Sequence, residues 1–178
     1  MVAPGATRVS RDPFSATGAA DDGAVPFSLD AALSTWAGLP RPRAFTNGVF
    51  DLLHRQHCGL LREARALGGS LAVAINSDAS VRRLGKGAGR PFNTTFDRAS
   101  VLAALCAVEL VVTFDEDTPC ELLTQLRPEI HVRDGDYDVA RLPEAASALR
   151  YQAGLSTTGL ADRIAAAHVP TALEGELA

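Results

Sequence analysis

Residues 43–57 read RAFTNGVFDLLHRQH. The stretch opens with a short apolar run suited to a strand and passes through an Asn-Gly pair that predicts a turn. It ends where a helical pattern begins, with His54 and His57 three residues apart. Side chains at that spacing project from nearly one face of a helix, so both imidazoles can converge on a single group. A helix start also presents N–H groups without intrahelical partners and the positive end of the macrodipole, which together favour an anion such as phosphate. Two imidazole donors added there suit the charge that builds on a phosphoryl group during in-line attack. Two plainer readings fit the pair taken alone. One is capping or packing at the helix start; the other is metal binding with Cys58 or another ligand, although no second cluster completes a coordination set.

Outward from this stretch, apolar runs alternate with helical patterns. RAFT (43–46) is followed by a helix from about His57 to Leu67, closed by Gly68 and Gly69, and then by SLAVAI (70–75). A helix from Thr95 to Cys106, ELVVT (109–113), a helix from Pro119 to Leu126 and EIHV (129–132) complete the series. Thr94 with Asp97 and Thr118 with Glu121 have capping-box spacing, and Pro119 stands where a first-turn proline is tolerated. Continuous apolar strands separated by helices predict an α/β fold whose parallel sheet is covered on both faces, with ligands at the carboxyl ends of the strands.

The chain has 178 residues, enough for one domain with a sizeable core. Residues 1–26 lack apolar periodicity and read as a disordered tail; they match neither a secretory signal nor a transit peptide. Residues 27–42 hold a short helix capped by Ser28 and a proline-containing linker, LPRPR. The domain itself is expected over 43–168, starting at about Arg43, with a flexible tail over 169–178. Seventeen basic against 21 acidic side chains give a net charge of -4, which argues against a nucleic-acid or anionic-membrane partner and leaves any phosphate contact local. No apolar run is long enough to span a bilayer, and three widely spaced cysteines form no disulfide framework, so a cytoplasmic protein is expected.

Five segments together resemble the nucleotidyltransferase superfamily. They are FTNGVFDLLHRQH (45–57), AVAINSDASVRRLGKGAGRP (72–91), DRASVLAALCAVELVVTFDEDTP (97–119), HVRDGDYD (131–138) and LSTTGLADRI (155–164). Their order and content are most similar to the adenylyltransferase domain of ADP-heptose synthases, and less so to glycerol-3-phosphate and ethanolamine-phosphate cytidylyltransferases. The resemblance implies a three-layer Rossmann-like nucleotidyltransferase fold. It implies transfer of AMP from ATP to D-glycero-β-D-manno-heptose 1-phosphate with release of pyrophosphate, and Mg²⁺ bound with the triphosphate rather than in a protein cage. The sugar kinase domain often fused to such domains is not expected here, so a separate kinase is implied. Family members often form dimers, which makes a homodimer the implied assembly.

By the same resemblance His54 and His57 contact the α- and β-phosphates, while Thr46, Asn47 and Gly48 with Phe50 and Asp51 form the floor beneath them. Asp51 has a second reading, fixing the turn through backbone hydrogen bonds. Lys86 lies in a loop of three glycines, free to bring a flexible ammonium to phosphate. Arg98 is expected to project from the third helix towards the triphosphate or acceptor, and Arg90 is a further candidate. Ser156, Thr157 and Thr158 precede the last helix, where hydroxyls and free N–H groups suit the β- and γ-phosphates. Asp136 follows the fourth strand, near the nucleotide or sugar hydroxyls; Asp78 has a similar place after the second.

Three departures from the family pattern stand out. Gln56 replaces a glycine between the histidines, Arg133 and Asp134 replace a lysine and a glycine, and the segment over 144–155 is short, with ALRY (148–151) as its remaining strand. Asp134 adds negative charge near a site for anions. Two other functional readings therefore fit the same residues: a cytidylyltransferase using CTP, and a degenerate relative that binds nucleotide or protein without turnover.

Overall fold

The computed structural model describes residues 29–85, 87, 89–134, 146–149 and 157–167. Both expected tails and the Ser28 cap lie outside them. Five strands, β1 (Arg43–Gly48), β2 (Ser70–Asn76), β3 (Leu110–Phe114), β4 (Ile130–Asp134) and β5 (Ala146–Leu149), form one parallel sheet in the order β3-β2-β1-β4-β5. The helices are α1 (Leu29–Ala37), α2 (Arg55–Leu67), α3 (Asp78–Arg83), α4 (Thr95–Ala103), α5 (Cys120–Leu126) and α6 (Thr157–Ala167). Among the described residues no helix is long and apolar enough to cross a membrane.

The sheet is covered on both faces, as its apolar strands require. Alternate residues of β2 serve opposite cores: Leu71, Val73 and Ile75 pack with Leu60, Leu61, Ala64 and Leu102 of α2 and α4, while Ala72 and Ala74 pack with α1 and α5. Parallel crossovers are right-handed as a rule. Steps from β1 to β2 to β3 run in one direction and put α2 and α4 on one face; the return past β1 to β4 runs the other way and puts α5 on the opposite face. The direction reverses between β1 and β4, so a crevice at the carboxyl end of the sheet falls there.

Several local expectations are corrected. The helix expected to stand ahead of the domain is one of its layers: Trp36 is buried among Phe45, Phe114, Leu122 and Leu126, and its Nε1–H donates to the Leu126 carbonyl at 2.6 Å. Helix α2 begins at Arg55 rather than His57, and α4 ends at Ala103 rather than Cys106. Thr94 caps α4 as expected, accepting from the Asp97 N–H at 3.2 Å. Pro119 occupies the start of α5 without a side-chain cap, so Thr118 does not play the matching role. The strand expected over 148–151 runs from Ala146 to Leu149. Gly68 ends α2 with an extended backbone, φ -133°. What requires glycine there is proximity, since a Cβ on Gly68 would lie 2.5 Å from the Pro42 carbonyl oxygen and one on Gly69 2.7 Å from that of Arg41.

Candidate functional site

Thr46, Asn47 and Gly48 are not a turn: β1 continues through Gly48, and the chain changes direction at Phe50, which has φ 49°. A left-handed backbone costs a non-glycine residue about 1–2 kcal/mol. Here it is held by burial of the Phe50 ring, which packs 5.1 Å from the ring of His57. His54 then occupies the N-cap of α2 with extended backbone and no side-chain capping bond, so its imidazole is not consumed in closing the helix. Its ring stacks on His57 with centroids 3.8 Å apart and planes 20° apart. The three-residue spacing therefore does bring both imidazoles to one place, at the carboxyl end of β1 beside the switch in strand order.

This arrangement disfavours positive charge. The His57 pKa is lowered from 6.5 to about 4, first by burial and next by the neighbouring His54, with a backbone hydrogen bond to Leu52 working the other way. His57 is thus neutral at pH 7 in the free protein. An anion placed against the pair would reverse the second influence and raise that pKa.

Asp51 lies behind the histidines as a bracket. Its Oδ1 accepts from the Phe92 and Asn93 N–H groups at 2.8 and 3.0 Å, and its Oδ2 accepts from Arg90 Nη1 at 2.8 Å. Asn93 Nδ2 returns a bond to the Asp51 carbonyl at 2.7 Å. A buried carboxylate with these partners fixes the loop, as the second reading of Asp51 has it; it is not a floor offered to phosphate. Asn93 had no role in the sequence reading, although its place after Arg-Pro in a turn-rich stretch is a signal for such a bracket.

The expectation for Arg98 is corrected more sharply. Its side chain is fully buried. Nε donates to the Asn93 carbonyl at 3.1 Å, Nη1 to the Val49 carbonyl at 2.8 Å, and Nη2 to Asp78 Oδ1 at 2.7 Å and Thr95 Oγ1 at 3.1 Å. Burial, the largest influence on Asp78, would raise its carboxyl, but hydrogen bonds from Thr95 and Arg98 outweigh it and leave the pKa below the ordinary value. Arg98 braces the loop before α2 from behind and does not project towards a triphosphate. The spacing carried a signal: Arg98 stands four residues before Leu102 and beside Ala99, both on the buried face of α4.

The remaining predicted residues fall in several places. Thr46 is wholly buried and its hydroxyl lacks a hydrogen-bond partner among the described residues. Asn47 Oδ1 lies 3.3 Å from Nε2 of the buried His131 on β4. Gly48 passes so near Phe50 that a Cβ would meet its ring at 3.0 Å. Gln56 is half-buried in the first turn of α2. Thr157 and Thr158 open α6, where Thr157 Oγ1 donates to the Leu52 carbonyl at 3.5 Å and Thr158 Oγ1 lies 3.5 Å from Arg90 Nη2. The last helix is therefore brought to the histidine-bearing loop. Lys86, Asp136 and Ser156 lie outside the described residues, but the glycines flanking Lys86 have φ 63° at Gly85 and 109° at Gly87, the backbone expected of that loop. Arg82, Gly87, Gly89, Arg90 and Pro91 line an open groove of about 390 Å³. Among the described residues no group of three or more His, Cys, Asp or Glu side chains is arranged to hold a metal ion.

A profile of the cytidylyltransferase-like family matches residues 45–154. The chain is 58% identical over 108 residues to a D-beta-D-heptose 1-phosphate adenylyltransferase from Bordetella bronchiseptica, covering 61% of this chain and 67% of that protein. It is 54% identical over 127 residues to the bifunctional protein HldE of Streptomyces coelicolor, covering 66% of this chain but only 27% of that longer protein. Among solved structures, the lipopolysaccharide core biosynthesis protein from Thermoplasma volcanium GSS1 superposes with a TM-score of 0.53 at 24% identity, over 62% of this chain and 95% of that one, a likeness of fold.

Proposed function

This chain belongs to the cytidylyltransferase-like family, and from that premise we propose that it transfers AMP from ATP to a sugar 1-phosphate, D-glycero-β-D-manno-heptose 1-phosphate. An oxygen of the acceptor phosphate attacks the α-phosphorus of ATP. The bond from that phosphorus to the oxygen bridging the β-phosphorus breaks, and pyrophosphate leaves with the electron pair. The observation that carries the reading is the His54–His57 stack at the start of α2, which sets two imidazole rings together at the N-terminal end of a helix. No covalent enzyme intermediate is needed, so positioning and charge stabilisation are the protein's task. The likeness to a D-beta-D-heptose 1-phosphate adenylyltransferase supports ATP rather than CTP as the donor for this chain.

Mg²⁺ enters this proposal as the counter-ion of the triphosphate. The carboxylates beside the site suit that arrangement, because Asp51 is already bonded to Arg90 and two N–H groups, and Asp78 to Arg98 and Thr95. Bound with the nucleotide, the ion neutralises phosphate charge. Purified protein with Mg²⁺, ATP and the heptose 1-phosphate should release pyrophosphate, and His54→Ala should slow this by roughly a hundred- to a thousandfold. Absence of pyrophosphate with ATP or CTP across several sugar and polyol phosphates, at high enzyme concentration, overturns the reading.

A further inference from the structure

Arg90 stands where three parts of the site meet. Its Nη1 donates to Asp51 Oδ2 at 2.8 Å, and its Nη2 faces Thr158 Oγ1, in the first turn of α6, at 3.5 Å. The guanidinium carbon lies 4.4 Å from the centroid of the Phe92 ring, and only 11% of the side chain is exposed. The neighbouring Thr157 reaches the Leu52 carbonyl at 3.5 Å. Two tethers thus join the start of α6 to the loop before α2, one direct and one running through Arg90 and Asp51. The Arg90–Asp51 pair is short, whereas both contacts to α6 are at the long limit of hydrogen bonding.

We propose that Arg90 is a positioning residue that holds the start of α6 against the loop carrying His54 and His57. It fixes the separation between phosphate-binding groups that lie about a hundred residues apart in the chain. The role needs the planar fork of arginine, which sends one arm to a carboxylate and another to a hydroxyl from a guanidinium stacked on a ring; a lysine ammonium keeps the charge but not that geometry. The inference rests on the transfer reading above.

The test uses Arg90→Lys, Thr158→Val, Thr158→Ser and the Arg90→Lys/Thr158→Val double variant in the full chain. Wild-type pyrophosphate release is measured first, and its absence overturns the transfer reading by itself. Positioning is then also read from hydrogen exchange of amides 161–163 in the free protein, whose carbonyl partners lie in the first turn of α6, so that no turnover is needed. Arg90→Lys and Thr158→Val should each lower kcat/KM for ATP by roughly ten- to a hundredfold. The double variant should lose no more than the worse single one, while Thr158→Ser, which keeps the hydroxyl, should recover part of the rate lost in Thr158→Val. Exchange should accelerate in both single variants, with melting temperatures within about 3 °C of wild type. Additive losses in the double variant would give the two residues separate contacts and overturn the proposal. So would unchanged exchange in α6, or a fall in melting temperature that accounts for the loss of rate.

Discussion

Arg98 and the His54–His57 pair border the same loop, but the fold stabilises the charge of Arg98 and opposes charge on His57. Every nitrogen of the Arg98 guanidinium donates to an internal acceptor, and its charge faces the carboxylate of Asp78. The histidines are pressed face to face at 3.8 Å in a place that lowers the His57 pKa to about 4. A cation with all its bonds made inside the fold is a brace. A stacked imidazole whose protonation the surroundings oppose, as they do for His57, gains most from an external anion. The strongest cation near a site is thus not automatically a ligand; what separates the two is whether the surroundings favour the charge in the free protein.

Removing the brace tests this contrast with the largest effect. Arg98→Met leaves the carbonyls of Val49 and Asn93 and the carboxylate of Asp78 without their donor, and should cost about 3–5 kcal/mol in urea unfolding. A stable but inactive Arg98→Met protein would instead make Arg98 a ligand. His57→Ala should show the opposite pattern. Its transfer rate should fall by roughly a hundredfold or more, while stability at pH 7.5 stays within about 1 kcal/mol of wild type.

The same contrast marks what the sequence can convey. Four of the five strands were legible as apolar runs between helical patterns, because a sheet covered on both faces keeps its central strands largely apolar, whereas the fifth was expected only from the family pattern, over 148–151. Helix α3 was not legible, since DASVRR is six residues long and too short to display a period. The histidine spacing was enough to bring the two rings together. The destinations of Arg98 and Asp51 were not, because whether a charged side chain turns inward depends on partners that other segments supply: the carbonyls of Val49 and Asn93 for one, the N–H groups of Phe92 and Asn93 for the other. Trp36 shows the same dependence, its indole reaching a carbonyl ninety residues away.

Acidification should separate the two regions again. Between pH 6.5 and about 4 the unfolded chain binds a proton at His57 that the folded chain does not, so wild-type stability should fall as pH drops through that window. His57→Ala should lack this part of the slope, measured by denaturant unfolding at several pH values. Nucleotide should act in the opposite sense. By raising the His57 pKa, ATP should draw in up to about one proton near pH 5.5, seen as a binding heat that changes with the ionisation enthalpy of the buffer. Uptake absent in wild type, or undiminished in His57→Ala, would place the nucleotide's charge elsewhere.

The smallest expected effect probes how the histidines are held. A Cβ at Gly48 would meet Phe50 Cε2 at 3.0 Å, so Gly48→Ala must displace the ring by a few tenths of an ångström. That ring packs 5.1 Å from His57 and occupies the turn with φ 49°. The displacement is therefore passed to an imidazole that sits at the proposed reaction centre, while the Arg98 brace lies behind the loop. Rate should drop several-fold, up to roughly tenfold, with a stability change below about 1 kcal/mol. If stability falls and rate per folded molecule does not, the ring is part of the core alone, and the stack is kept in place by α2 without help from the strand end.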